Sequence, residues 1–570
     1  MTRPRLLLAV MTLLLSVTLS VYAEPRLPNI LLLVAEDLSP RVGAFGDEVA
    51  YTPNIDQLAT QGTRFTQVFT TAGVCAPSRA ALITGIHQQS FGAQHMRSST
   101  GPLGLYYAQP AAEVRAFPEL LRAKGYFTFT DRKLDYQFSG SSAGTGPFTL
   151  WDQENAEDYA WRNRQPGQPF FGLINFLETH ESGIMMPTGP PHSPTHAATQ
   201  KWRAKAGMVA PKKTHPDAVE LPPYYPDLPE IRSDLARHYD NIAQMDARVG
   251  RILKTLLADG LARNTVVIWT TDHGDGLPRA KRELFDSGIH VPMIVRMPRT
   301  LAAFYAHAQL QPNSLNHTLI SFVDIAPTLL GLAQIKPPAY LHGQPFLPAR
   351  SAPRPTVPRR YIFAARDRID EIPDRQRAVR DNRYKYIRSW YPHTPGGHTL
   401  AYRDNLDMTR AWRAAWRAQS LSPVQRRWFE AVGEEQLYDT RTDPYEINNL
   451  ANNPKYAVEL NRLQEALDAF MEQYPDTSEI SENELRNSFL SANQIPRTPP
   501  PSIRQANGKL HLASDVGASI GYRYENRPWQ LYTTPIDVRA IEAKAVRYGW
   551  QESEVTTTPS SLKAAVSNQN

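Results

Sequence analysis

Cys75-Ala76-Pro77-Ser78-Arg79-Ala80-Ala81-Leu82-Ile83-Thr84-Gly85 decides how the rest of the chain is read. Cys75 is the only cysteine among 570 residues, so no intramolecular disulfide can hold it. Ala80 to Thr84 reads as the opening turns of a helix. A helix N-terminus presents unpaired N–H groups and the positive end of a dipole to an anion. A small buried cysteine in a strand-to-helix turn gives the same local pattern. The flanking stretches must therefore decide between a packed thiol and a reactive centre.

Towards the N-terminus, Asn29-Ile30-Leu31-Leu32-Leu33-Val34-Ala35 runs into Glu36-Asp37. The continuous apolar run Ile30–Val34 predicts a buried parallel strand. Its C-terminal end is where open α/β sheets bind their ligands. Towards the C-terminus the same pattern recurs. Phe117–Tyr126 predicts a helix ending near Gly125, then Phe127–Thr130 a strand, followed by Lys133 and Asp135. The stretch from Pro169 predicts a third apolar strand ending in His180, and the stretch from Thr265 a fourth buried strand ending in Asp272-His273-Gly274. Ser287-Gly288 opens a further strand, with the glycine allowing close backbone approach. Ser233–Leu257 carries Ile242, Met245, Val249, Ile252, Leu253 and Leu256 at helical spacing and predicts a long core-facing helix. Residues 185–230, rich in Pro, His and Thr, read as an irregular loop over the strand ends. Glu36, Asp37 and Asp272 at neighbouring strand ends repel one another unless a cation joins them. Oxygen ligands favour Ca2+ or Mg2+ over zinc. Taken singly, an acidic pair of this kind also fits a solvated loop.

The pattern C-x-P-S-R followed by A-A-L-I-T-G resembles the signature of type I sulfatases, in which the cysteine is oxidised after synthesis to formylglycine. The other motifs arrive in that family's order: the acidic pair, C-x-P-S-R, Lys133, His180, Asp272-His273-Gly274, and Lys281 nine residues later. The resemblance spans about residues 28–480 and is nearest to the N-sulfoglucosamine sulfohydrolase-like branch. It implies an alkaline-phosphatase-like α/β/α sandwich with a mostly parallel sheet, a smaller C-terminal antiparallel subdomain and a short all-β tail module. It also implies roles. Cys75, Arg79, Lys133, His180 and Lys281 are expected to be catalytic, and Glu36, Asp37, Cys75, Asp272 and His273 to hold one calcium ion. His95, Arg97, Asp135, Arg282, Arg366 and Arg368 are expected to contact substrate. Glu36 stands where the family has aspartate, and Asp135 where many relatives have histidine.

Hydrophobic residues make up 41% of the chain and charged residues 21%, with 48 prolines, an ordinary balance for a loop-rich globular enzyme. Residues 1–23, with Arg3 and Arg5 before the apolar run Leu6–Leu15 and Val21-Tyr22-Ala23 after it, read as a secretory signal peptide. A periplasmic or secreted protein with no stable membrane insertion after cleavage follows from that. Removing Arg3 and Arg5 with that peptide takes the formal charge from +6 to +4, a modest excess that suits a polyanionic ligand, and no basic run interleaved with aromatics suggests nucleic acid. The expected organisation is a catalytic domain over 24–345, a C-terminal subdomain over 346–480, a Pro-rich linker over 481–507, a β-sandwich-like module over 508–557 and a disordered tail over 558–570. The module is read as a structural appendage, with sugar binding as the second reading. The expected activity is hydrolysis of sulfate esters, or N-sulfates, of sulfated saccharides, after a formylglycine-generating or equivalent enzyme has acted on Cys75. Two other readings stay open: a phosphonate or phosphate ester hydrolase of the same superfamily, and a sulfated-glycan-binding protein with unmodified Cys75.

Overall fold

The structure is a computed structural model and describes residues 27–97, 102–185, 190–301, 310–349, 357–525 and 527–558. The expected signal peptide and all of the expected tail but residue 558 lie outside these residues. The main sheet contains β1 (Asn29–Ala35), β2 (Thr63–Phe69), β3 (Phe127–Thr130), β4 (Phe170–Phe176), β5 (Thr265–Thr271), β6 (His290–Arg296), β7 (Ser314–Asn316) and β8 (Ile320–Ser321). Its order is β3-β4-β1-β5-β6-β2-β7, with β8 also on β2. The strands from β3 to β5 are parallel, and β6 runs antiparallel to both β5 and β2.

Every residue of β1, β4 and β5 is buried, as continuous apolar runs require in a sheet covered on both faces. The two-residue period of a strand sends alternate side chains to opposite faces. Ile30, Leu32 and Val34 enter one core with Ala80, Leu82 and Ile83 of α2 (Cys75–Thr84) and with Phe117 and Leu121 of α3 (Phe117–Ala123). Leu31, Leu33 and Ala35 enter the other, with Ile55 and Leu58 of α1 (Pro53–Thr60) and the apolar stripe of α5 (Pro229–Ala258). Truncating one such leucine to alanine removes about 2–5 kcal/mol of stability. Among the described residues no helix is long and apolar enough to cross a membrane.

The loop expected over 185–230 contains α4 (Pro194–Lys205), capped by Ser193, whose side chain accepts from His196 N–H. The helix α4 is polar on nearly every side, so it has no apolar period to announce it. A second, antiparallel sheet, β12-β11-β10-β9, is built from β9 (Ile362–Arg366), β10 (Gln376–Arg380), β11 (Tyr384–Ser389) and β12 (Glu435–Asp439). The helix Ala457–Gln473 packs Leu463, Leu467 and Phe470 on it. The segment expected as a linker holds a helix, Glu482–Phe489, with a Ser481/Glu484 capping box, and the strand β13 (Ser502–Ala506). β13 pairs with β14 (Lys509–Ala513), so the terminal module begins before residue 508. The module's second sheet is built around β15 (Ser519–Arg523) and β18 (Glu542–Val546), with Leu510, Ile520, Ala543 and Ala545 in a small core.

The module is bonded to the catalytic domain. Tyr548 stacks on Phe138 at 4.7 Å and 5°, and its hydroxyl donates to Glu119 Oε2 at 2.7 Å. Ser519 Oγ donates to Glu119 Oε1 at 2.5 Å, and Gly549 N–H to the Phe138 carbonyl at 3.1 Å.

Candidate functional site

Four parallel strands end at one place. Glu36 and Asp37 follow β1, Lys133 and Asp135 follow β3, His180 follows β4, and Asp272 and His273 follow β5. Helix α2 points its N-terminus at them and begins with Cys75 itself, which is fully buried. Val74, Ala76, Met96 and Ile369 form an apolar collar around that residue. Ligating atoms of Glu36, Asp37, Cys75 and His180 lie within 4.8 Å of one another, and so do those of Asp37, Cys75, Asp272 and His273.

Asp37 is the hub. Its backbone is left-handed, at φ 53°, a conformation an aspartate adopts more readily than most side chains. Its N–H donates to Asp272 Oδ1 at 3.0 Å, and its Oδ2 accepts from Lys281 Nζ at 2.6 Å and from Glu181 N–H at 2.7 Å. A β-carbon at Gly276 would sit 2.9 Å from Glu181 Cα and 3.0 Å from Asp37 Oδ2, so only glycine lets this turn close. Burial pushes the Asp37 carboxyl up, but Lys281, His180 and His273 outweigh it and hold the group well below the usual range. Glu36 receives Lys133 Nζ at 3.1 Å and lies 3.4 Å from Arg79 Nη2; here burial wins and its carboxyl is raised. Arg79 ties the cluster together, with Nε 3.0 Å from Asp272 Oδ2 and Nη1 2.6 Å from Asn175 Oδ1.

These residues fit a hard divalent cation. Glu36 Oε1 is buried and has no hydrogen-bond partner, and the buried Asp37 Oδ1 and His273 Nε2 lie 3.0 Å from each other. Two like charges 4 Å apart repel by about 4 kcal/mol at an effective dielectric constant of about 20. Burial disfavours a charged His273, yet Asp272 and Asp37 lift it to about 10, so the pocket demands positive charge. Carboxylate oxygens with one imidazole suit Ca2+ or Mg2+ better than a softer metal.

His180 is held between Ser182 and Lys281. Both ring nitrogens face hydrogen-bonding groups: Ser182 N–H lies 3.2 Å from Nδ1 and the Ser182 hydroxyl 2.8 Å from it. Its Nε2 is 3.3 Å from Lys281 Nζ, and burial together with Lys281 lowers the ring's proton affinity well below the ordinary value. Lys133 also lies 3.7 Å from Asp135, which pairs with Arg97 at 2.7 Å.

The remaining expected contacts are held by carboxylates. Arg282 makes two 2.8 Å bonds to Glu181. Arg366 pairs with Glu283 and lies 2.9 Å from Asp374, and Arg368 pairs with Glu482 at 2.5 Å. His95 is buried, 3.8 Å from Glu482. Arg366 and Arg368 are therefore each already paired with a carboxylate. Three neighbours went unnoticed in the sequence: Glu181, Asn175 and Ser182. Glu181 directly follows His180 at a strand end, and Asn175 interrupts the apolar run of β4; both are visible signals.

A sulfatase family model matches residues 28–335, more than half of the chain, and a model of the N-sulphoglucosamine sulphohydrolase C-terminal region matches residues 279–396. An ulvan-active sulfatase of Formosa agariphila is 36% identical over 564 residues, covering 93% of this chain and 91% of its own. The chain belongs to the sulfatase family. Human N-sulphoglucosamine sulphohydrolase is 25% identical to this sulfatase over 473 residues, covering 78% of this chain and 89% of its own. Among solved structures, a 2-O GAG sulfatase aligns with a TM-score of 0.56 at 20% identity, covering 80% of this sulfatase and 94% of that chain. A phosphonate monoester hydrolase of Agrobacterium radiobacter aligns with a TM-score of 0.51 at 18% identity, covering 78% and 96%. At these identities the alignments establish the shared alkaline-phosphatase-like fold and nothing about substrate.

Proposed function

We propose that this sulfatase hydrolyses sulfate esters of a sulfated saccharide in the periplasm or outside the cell, using a formylglycine made from Cys75 and one calcium ion. The observation that carries the reading is the convergence of Cys75, at a helix N-terminus, with three buried carboxylates, two lysines and His180. Once formed and loaded, the hydrated aldehyde supplies a nucleophilic hydroxyl and the ion supplies compensating charge. Every other part belongs to side chains already described. Glu36, Asp37, Asp272 and His273 would hold the ion. Lys133 and Lys281 flank the position of a sulfate and neutralise its oxygens as charge builds, an electrostatic stabilisation that needs no rearrangement. Arg79 keeps the carboxylates in place. His180 would protonate the leaving oxygen. The negative charge of a bound ester offsets the repulsion from Lys281 and restores the ring's affinity for the proton it must donate.

Sulfate and phosphate monoesters differ in the charge they bring to this pocket. A phosphate monoester carries nearly two charges near neutral pH, and a sulfate monoester one. The decisive experiment measures turnover of defined sulfated saccharides, ulvan oligosaccharides first, beside matched phosphate esters, with the mass of the Cys75 peptide determined in the same sample. The sulfate is expected to lead in kcat/KM by at least about tenfold, or ~1.4 kcal/mol of barrier. Equal or reversed preference would favour the phosphohydrolase reading, and an unmodified Cys75 with saccharide binding but no turnover would favour the glycan-binding reading.

A further inference from the structure

We propose that a groove at the opposite edge of the main sheet binds a stretch of anionic polysaccharide, remote from Cys75. The choice of ligand rests on the substrate class proposed above; the site itself stands on its own residues. The groove, of about 1150 Å³, runs between α1, the C-terminal half of α5 and the end of β6. Arg251, Lys254, Arg263, Arg296 and Arg299 line it, and no carboxylate does so among the described residues. None of the five pairs with a carboxylate there, whereas exposed arginines elsewhere, such as Arg162 and Arg426, find Asp259 and Glu430.

Arg296 adds a second observation. Its Nη2 is buried without a hydrogen-bond partner, and Nη1 reaches only Gln61 Oε1, at 3.5 Å. Burial, with no facing carboxylate, lowers its pKa from the ordinary value. A buried donor left unpaired is costly, and an anionic oxygen would satisfy it. Between the cations lie Leu253, Leu257, Met297, Pro298 and Leu310, apolar surface that suits the C–H faces of sugar rings. Leu257 is 67% exposed.

The groove cannot be an extension of the catalytic centre. Arg263 precedes β5, and Arg296 ends the antiparallel β6, so both lie at the N-terminal ends of the parallel strands. Cys75 and its partners lie at the C-terminal ends, about 23 Å away along a seven-residue strand. One sugar cannot touch both places, but a polymer can. The groove would raise the local concentration of long chains and leave small substrates unaffected.

The test compares the full chain with a variant carrying Arg251→Gln, Lys254→Gln, Arg263→Gln and Arg299→Gln, and with one in which the three arginines become lysine. Retardation in gels containing dextran sulfate, with uncharged dextran as control, gives affinity at several salt concentrations. The glutamine variant is expected to bind at least tenfold more weakly, with a shallower salt dependence, while the lysine variant keeps most of the binding. All three proteins should share one melting temperature and turn over a small aryl sulfate within twofold of each other. Equal retardation of the glutamine variant would overturn the proposal, and so would tighter binding of duplex DNA or anionic lipid vesicles than of dextran sulfate. Retardation does not depend on turnover. Groove-dependent binding by a protein that removes sulfate from no saccharide would refute the proposed activity and leave this site standing.

Discussion

In the proposed mechanism Cys75 is the residue on which the chemistry depends. Cys75→Ala should reduce sulfate-ester turnover by several orders of magnitude, as deletion of a nucleophile does. Purified variant with near-normal kcat would exclude the mechanism. The carboxylates are the next test. Asp37→Asn or Asp272→Asn should lower divalent-metal content and activity together, by about 100-fold or more, and chelation of the parent protein should do the same reversibly. Full activity in protein shown metal-free by elemental analysis would contradict the calcium assignment. At this scale the sequence was most legible where a polar residue ends an apolar run, because strand ends of a parallel sheet converge whatever the loops do. Glu36, Lys133, His180 and Asp272 were legible for that reason. Arg366 and Arg368 were not. An arginine's role depends on which carboxylate reaches it, and Glu283 and Glu482 come from segments 83 and 114 residues away.

Elements with a strong period were read closely. The helix expected over Ser233–Leu257 is found over Pro229–Ala258, and the apolar strands β1, β4 and β5 fall where their runs predict. The failures share a cause, the lack of a clean period. α4 has no apolar stripe, and β2 contains a register shift between Phe65 and Val68 that breaks its alternation. The long helix α5 also makes a prediction about pH. Asp234 on α5 accepts from Met408 N–H at 2.8 Å, where the helix Asp407–Arg417 begins. Burial raises its carboxyl to about 7, far above the ordinary 3.8. The folded state therefore holds a proton that the unfolded chain has released. The stability this confers is complete below about pH 4, is lost as pH rises towards 7 and is absent above, a swing of ~4 kcal/mol at most. Asp234→Asn keeps the acceptor and abolishes the titration. Its stability relative to the parent, from urea midpoints, should increase between pH 5 and pH 8; a pH-independent difference would show that Asp234 does not titrate in that window.

At the scale of the molecule the terminal module belongs to the catalytic unit. Tyr548 stacks on Phe138, three residues beyond Asp135 in the loop that carries Lys133. Tyr548→Ala should cost about 3–5 kcal/mol and lower kcat/KM, because the loop loses its support. Tyr548→Phe, which keeps the ring and loses only the bond to Glu119, should recover most of the activity. A Tyr548→Ala protein with unchanged melting temperature would refute this dependence. The total burial of Cys75 carries a different kind of consequence, one of timing. An enzyme that oxidised Cys75, as proposed above, could not reach a thiol packed against Ile369 and would have to act before that contact forms. Ile369 is made 294 residues after Cys75. At roughly 5–20 residues per second of synthesis, the nascent chain leaves the thiol open for about 15–60 s, and folding then closes the opportunity for good.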